Sequence, residues 1–101
     1  MLPSSQDISL PNTPIAIYTC PSDKYASISI SLCNRSANPI DIRLALSVTG
    51  TVVDSEYLEY DFQLSPHNTM ERTGLILAPN NVIVAQTSAA GISCVVYGLE
   101  K

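Results

Sequence analysis

From Ile15 onward the apolar residues of this chain recur nearly everywhere at every second position, a spacing that strands use and helices cannot. In a strand, successive side chains point to opposite faces, so a period of two gathers one set on a buried side. The clearest example is Ile40, Ile42, Leu44, Leu46 and Val48, set against Asp41, Arg43, Ala45 and Ser47. Ile28, Ile30 and Leu32 follow the same rule, as do Leu58, Tyr60, Phe62 and Leu64, and then Ile92, Cys94 and Val96. These inward positions, without Ile40, Val48 and Leu64, are the expected core.

Turn signals separate the runs. Pro21-Ser22-Asp23, Asn34 to Pro39, Thr49-Gly50-Thr51, Ser65-Pro66-His67-Asn68, Ala78-Pro79-Asn80-Asn81 and Ser88 to Gly91 each interrupt the alternation with residues that favour turns. Residues 52 to 56 have no clear period, and a short helical turn fits there. The result is seven to eight short strands at regular spacing and no long helix. That pattern predicts an all-β fold, a single-domain β-sandwich or jelly roll. One hundred and one residues suffice for one such core and not for two. Residues 1–13 hold Ser and Pro with almost no periodicity, so an extended N-terminal arm is expected there, held by a neighbour or disordered, with the sandwich spanning 14–101.

Charge narrows the function classes. Only 14% of residues are charged, against about 25% in ordinary soluble domains, which suits a protein that works inside an assembly. A net charge of −4, with five scattered Lys and Arg, argues against nucleic acid, which demands a basic stripe. No apolar run reaches the roughly 18 residues of a membrane helix, and the first residues lack the basic start and apolar block of a secretory signal. Neither membrane nor nucleic acid is therefore an expected partner, and synthesis in a cytoplasm is. Cys20, Cys33 and Cys94 are an odd number without metal spacing, and are expected as three reduced thiols.

Reactive groups are sparse. The one histidine, His67, sits in a Ser-Pro-His-Asn turn with no carboxylate beside it in sequence, and there is no G-x-S-x-G elbow. Asp54, Glu56, Glu59 and Asp61 form the one acidic cluster; without calcium-loop spacing they read as a solvated strand edge. Asn34-Arg35-Ser36 matches a glycosylation acceptor but has no secretory context. The glycines are isolated, so no phosphate loop exists, and the aromatics are scattered. The expectation is a non-enzyme without catalytic residues, cofactor or metal.

One strand face is unusual. Opposite the Ala26, Ile28, Ile30, Leu32 row stand Tyr25, Ser27, Ser29, Ser31 and Cys33, which carry no charge. Faces meant for water recruit Lys and Glu, whereas closely packed interfaces avoid the desolvation these impose. Tyr25, Ser27, Ser29 and Ser31 are thus candidates for a subunit interface, with burial against the protein's own second sheet as the rival reading and exposure to water as the third.

Residues 15–100 also contain Tyr18-Thr19, Leu32-Cys33-Asn34-Arg35, Leu58-Glu59-Tyr60-Asp61, Glu71-Arg72-Thr73-Gly74 and Val96-Tyr97-Gly98-Leu99-Glu100. In these pieces the chain resembles small β-rich virion structural proteins of tailed bacteriophages, especially phages of aquatic bacteria. The resemblance implies a non-enzymatic virion subunit, in the first instance a capsid decoration (cement) protein bound to the head shell. Its partners would be the major capsid protein or other virion subunits and further copies of itself, as a homo-oligomer with a trimer favoured. A tail, neck or fibre component and a receptor- or glycan-binding module are the alternatives.

Overall fold

The structure is a computed structural model, and it describes residues 2–101. Eight strands follow one another: β1 (Ser4–Ile8), β2 (Ile15–Thr19), β3 (Ala26–Asn34), β4 (Ile40–Ser47), β5 (Tyr57–Leu64), β6 (Thr69–Leu77), β7 (Val82–Thr87) and β8 (Ile92–Glu100). A single 3₁₀ turn, Asp54–Glu56, occupies the stretch without a period. There the Glu56 carboxylate accepts the Val48 and Val53 N–H groups, both at 3.0 Å, and so closes the β4–β5 connection.

The strands form two four-stranded sheets, ordered β1-β8-β3-β6 and β2-β7-β4-β5, with every pair antiparallel. First pairs with last, second with seventh, third with sixth and fourth with fifth. This nesting is the jelly roll, the more specific of the two expected architectures. Between the sheets lie Ile28, Ile30, Leu32, Ile40, Ile42, Leu44, Leu77, Ile83, Ile92 and Val96, each essentially inaccessible. The turns carry the chemistry their sequences suggest. In Ser65–Asn68 and Ala78–Asn81 a proline takes the second position, and His67 and Asn80 take the positive φ required at the third.

Two expectations are corrected. The N-terminal segment is not an arm outside the domain: Ser4–Ile8 is a strand of the first sheet, paired with β8 from Ser4↔Val96 to Ile8↔Ile92, and Ile8 is buried. An edge strand is held by its backbone ladder and needs no alternation of its own, so Ser4, Ser5, Gln6 and Asp7 gave no periodic signal.

The second correction concerns β5. Tyr60 and Phe62, expected in the core, are 60% and 41% exposed, while Leu46 and Leu58 are only partly buried against it. Ile42 pairs with Phe62, Leu44 with Glu59 and Ala45 with Tyr57, so β5 carries an extra residue at each of two steps, the first a bulge that includes Asp61, whose φ is 54°. This bulge resets the alternation. Tyr60 turns outward with Asp61, and Glu59 reaches Arg72 of the opposite sheet (2.6 Å). Phe62 stays on an edge strand that is flanked on one side only.

Candidate functional site

The uncharged row of β3 lies on the outer surface of the first sheet. Because β3 is a central strand, its inward residues Ala26, Ile28, Ile30 and Leu32 are buried, and Ser27, Ser29, Ser31 and Cys33 point away from the core. Burial against the second sheet is therefore excluded. Ser27 is exposed, while Ser29 and Ser31 are half-buried between their neighbours.

Register identifies those neighbours. Ser27 stands between Leu99 of β8 and Ile76 of β6, Ser29 beside Tyr97, and Ser31 between Val95 and Glu71. Ile76, Leu99 and Tyr25 are 64%, 63% and 61% exposed, and Val95 and Tyr97 are partly open as well. Tyr25 is fixed just before β3 by reciprocal backbone hydrogen bonds with Lys101, each 2.7 Å. Tyr25, Ala26, Ser27, Ile76, Leu99 and Lys101 line a shallow depression of about 300 Å³. Among the described residues, half of the large exposed hydrophobics thus share one sheet face (Tyr25, Ile76, Val95, Tyr97 and Leu99).

Lys101 brings one charge to the end of this face, and the serine row itself has none. Glu71 accepts a hydrogen bond from the Tyr97 hydroxyl at 2.7 Å, which holds the phenol proton and pushes its pKa up. Asp7 pairs with Arg35. Gly98 lets β8 lie tight on β3: a Cβ there would stand 2.1 Å from the Ser27 carbonyl oxygen. The close approach brings Tyr97 and Leu99 beside the serine row.

The remaining flagged residues form no reactive centre. His67 is exposed in its turn. Cys20 and Cys94 are buried and Cys33 is half-buried, all unpaired; burial raises the thiol pKa of Cys20 and pushes that of Cys94 up to about 11. Of the acidic cluster, Glu56 caps backbone N–H groups, Glu59 pairs with Arg72 and Asp61 pairs with Arg43. Among the described residues no group of His, Cys, Asp and Glu is arranged to hold a metal ion. Asn34 is wholly buried: its amide donates to the Asn38 and Leu64 carbonyls and its oxygen accepts from Ser36, so the glycosylation pattern is a structural turn. Tyr57 and Tyr60 meet edge to face, with centroids 4.9 Å apart, and form no coplanar platform.

The aliphatic half of the candidate face escaped the sequence reading, although a signal was there. Val95-Val96-Tyr97 in β8 and Leu75-Ile76-Leu77 in β6 are apolar on consecutive positions, hence on both faces of their strands. Such runs mark strands with something apolar to cover on either side. No family model, curated protein or solved structure matches the chain.

Proposed function

We propose that this protein is a non-enzymatic structural subunit of a larger assembly, and that it docks through the outer face of the β1-β8-β3-β6 sheet. The observation that carries the reading is the exposure of Tyr25, Ile76 and Leu99 around a serine row without charge. Contiguous exposed apolar surface is rare on monomers and marks interaction sites. Three strands of nine residues and one of five, about 4.8 Å apart, offer roughly 500 Å² of flat area, a good part of one partner's share of a standard interface.

The first occupant is a second copy of the chain. Where a face meets its own copy, a central charge would confront a like charge, and the centre of this face has none. The assembly proposed is a bacteriophage virion, with the chain as a capsid decoration protein. That rests on the sequence resemblance and, by fold-level analogy, on the use of jelly rolls in capsid domains.

The test replaces Ile76 and Leu99 together with lysine. Both side chains are already largely in solvent, so the melting temperature is expected to hold, surface changes being worth about 0.5 kcal/mol or less. Light scattering and sedimentation across a concentration series should find an oligomer for the native protein and a monomer for the variant, with Ser29→Glu weakening association in the same direction. A native protein that stays monomeric throughout, or a variant that associates equally well, refutes the docking face. Copy number in purified virions then separates head, where hundreds are expected, from neck, baseplate or fibre.

A further inference from the structure

The outer face of the other sheet holds a second feature of a different chemical character. Asp41 and Arg43 of β4, Gln86 of β7, Asp61 of β5, and Asn12 and Ser88 from the adjoining connections line an open cleft of about 190 Å³. Four separate segments converge there for identifiable reasons. Arg43 and Gln86 are direct cross-strand partners. The β5 bulge turns Asp61 outward, so that its carboxylate takes the Arg43 guanidinium in two hydrogen bonds of 2.6 and 3.1 Å. Asn12 is anchored by its N–H to the Thr87 carbonyl at 2.7 Å, and Ser88 by mutual bonds with the Asp41 backbone. Asn12 and Asp61 both take positive φ, a conformation that L-residues adopt rarely outside turns and sites.

The cleft is rigidly supported, yet part of its hydrogen-bonding capacity is unused. Among the described residues, no hydrogen bond or ion pair engages the side chains of Asn12, Asp41 or Gln86. Arg43 gives its Nε and one terminal nitrogen to Asp61 and lies 4.1 Å over the ring of Tyr60, which is largely exposed. The available groups are a carboxylate, two amides and a guanidinium edge: planar, forked side chains that donate and accept at adjacent positions.

Three ligand classes fit poorly. Anions meet two carboxylates against one guanidinium. Apolar molecules find almost no apolar wall. A large ligand cannot be enclosed, since pockets for drug-sized molecules run to roughly 300–1,000 Å³. What suits the cleft is one ring of a neutral polyhydroxyl compound, whose neighbouring hydroxyls each donate and accept. We propose that this cleft binds a neutral saccharide, as a single residue or the end of a glycan chain, with Asp41, Gln86 and Asn12 as hydrogen-bonding residues and Arg43 oriented by Asp61. The proposal does not depend on the assembly role, because it uses the opposite sheet and shares no residue with the docking face.

The experiment is an amide-shift NMR titration of the whole protein with glucose, galactose, mannose, fucose, N-acetylglucosamine and lactose, with methylguanidinium as a cationic comparator. An open site of this kind should bind weakly, on the order of millimolar. At least one sugar is expected to shift residues 12, 41, 43, 61 and 86 in a saturable way. Asp41→Ala and Gln86→Ala, each confirmed folded by its melting curve, should weaken that binding about tenfold or more. No response to any sugar overturns the proposal. So does a response to methylguanidinium alone, which would make the cleft a receptor for a partner's Arg or Lys, and so does sugar binding that both variants retain.

Discussion

Gly98 is the position where a single methyl group should do most damage. A Cβ built there lies 2.1 Å from the Ser27 oxygen, 2.8 Å from the Ile28 Cα and 3.1 Å from the Ser27 carbonyl carbon, all backbone atoms of a central strand. None is the end of a flexible side chain, so relief requires β8 to lift from β3. Gly98 also holds φ at +146°, which costs an L-residue about 1–3 kcal/mol. Lifting the strand adds the loss of one or two ladder bonds, at roughly 1 kcal/mol each, and looser packing around Val96. Gly98→Ala should therefore destabilise by about 3–5 kcal/mol, a large part of the 5–15 kcal/mol that a domain possesses. Gly74→Ala is the control. Its φ is +73° but nothing lies within 4 Å of the added carbon, so only the backbone term, about 1–2 kcal/mol, applies. Urea unfolding of the two variants, compared at equal m-value, isolates the steric part. If their losses agree within about 0.5 kcal/mol, the tight β3–β8 contact is not what the glycine serves, and the reasoning fails.

Two further outcomes follow from the corrected edge and from the acid groups. Ile8→Ala should cost about 2–5 kcal/mol by urea unfolding, as for any fully buried aliphatic, whereas a free arm would tolerate it with no change. Stability should also fall on the acid side. Backbone N–H groups of Val48 and Val53 lower the Glu56 pKa, and the Arg43 hydrogen bond lowers that of Asp61. Carboxylates depressed in the folded state stabilise it above their unfolded pKa, and that contribution disappears as pH drops through the folded value. Melting temperature measured between pH 7 and pH 2 should hold down to about pH 4 and then decline. Glu56→Gln should make the decline shallower, and an unaltered acid limb would show that Glu56 does not contribute.

Much of the fold was legible because period-two patterning is strong in β3, β4 and β8, where one face is sealed by the opposite sheet. The limits of that signal are equally physical. β1 was invisible because ladder hydrogen bonds are made by backbone, which Ser-Ser-Gln-Asp supplies as well as any sequence. β5 misled because Leu58-Glu59-Tyr60-Asp61-Phe62 alternates cleanly, while two register shifts against β4 break the faces within that run. The serine row was legible as uncharged, and its outward direction came from pairing β3 with both β8 and β6. The aliphatic half of that face and the Arg43 cleft depend on strand neighbours far apart in sequence, and no local spacing reports them.

The two outer surfaces differ in a way that suits a division of labour. One sheet presents exposed aliphatics and hydroxyls, which gain by leaving water and demand no particular counter-charge. The other presents forked polar groups around a fixed ion pair, which gain only from a ligand that matches their directions. Sheets in a sandwich pack about 10 Å apart, so a subunit seated on the first leaves the second facing solvent. Residues that far apart without shared partners act additively. Docking as proposed would orient the molecule and leave the cleft facing outward. A single core leaves this chain only two broad faces, and the two proposed roles would each take one of them.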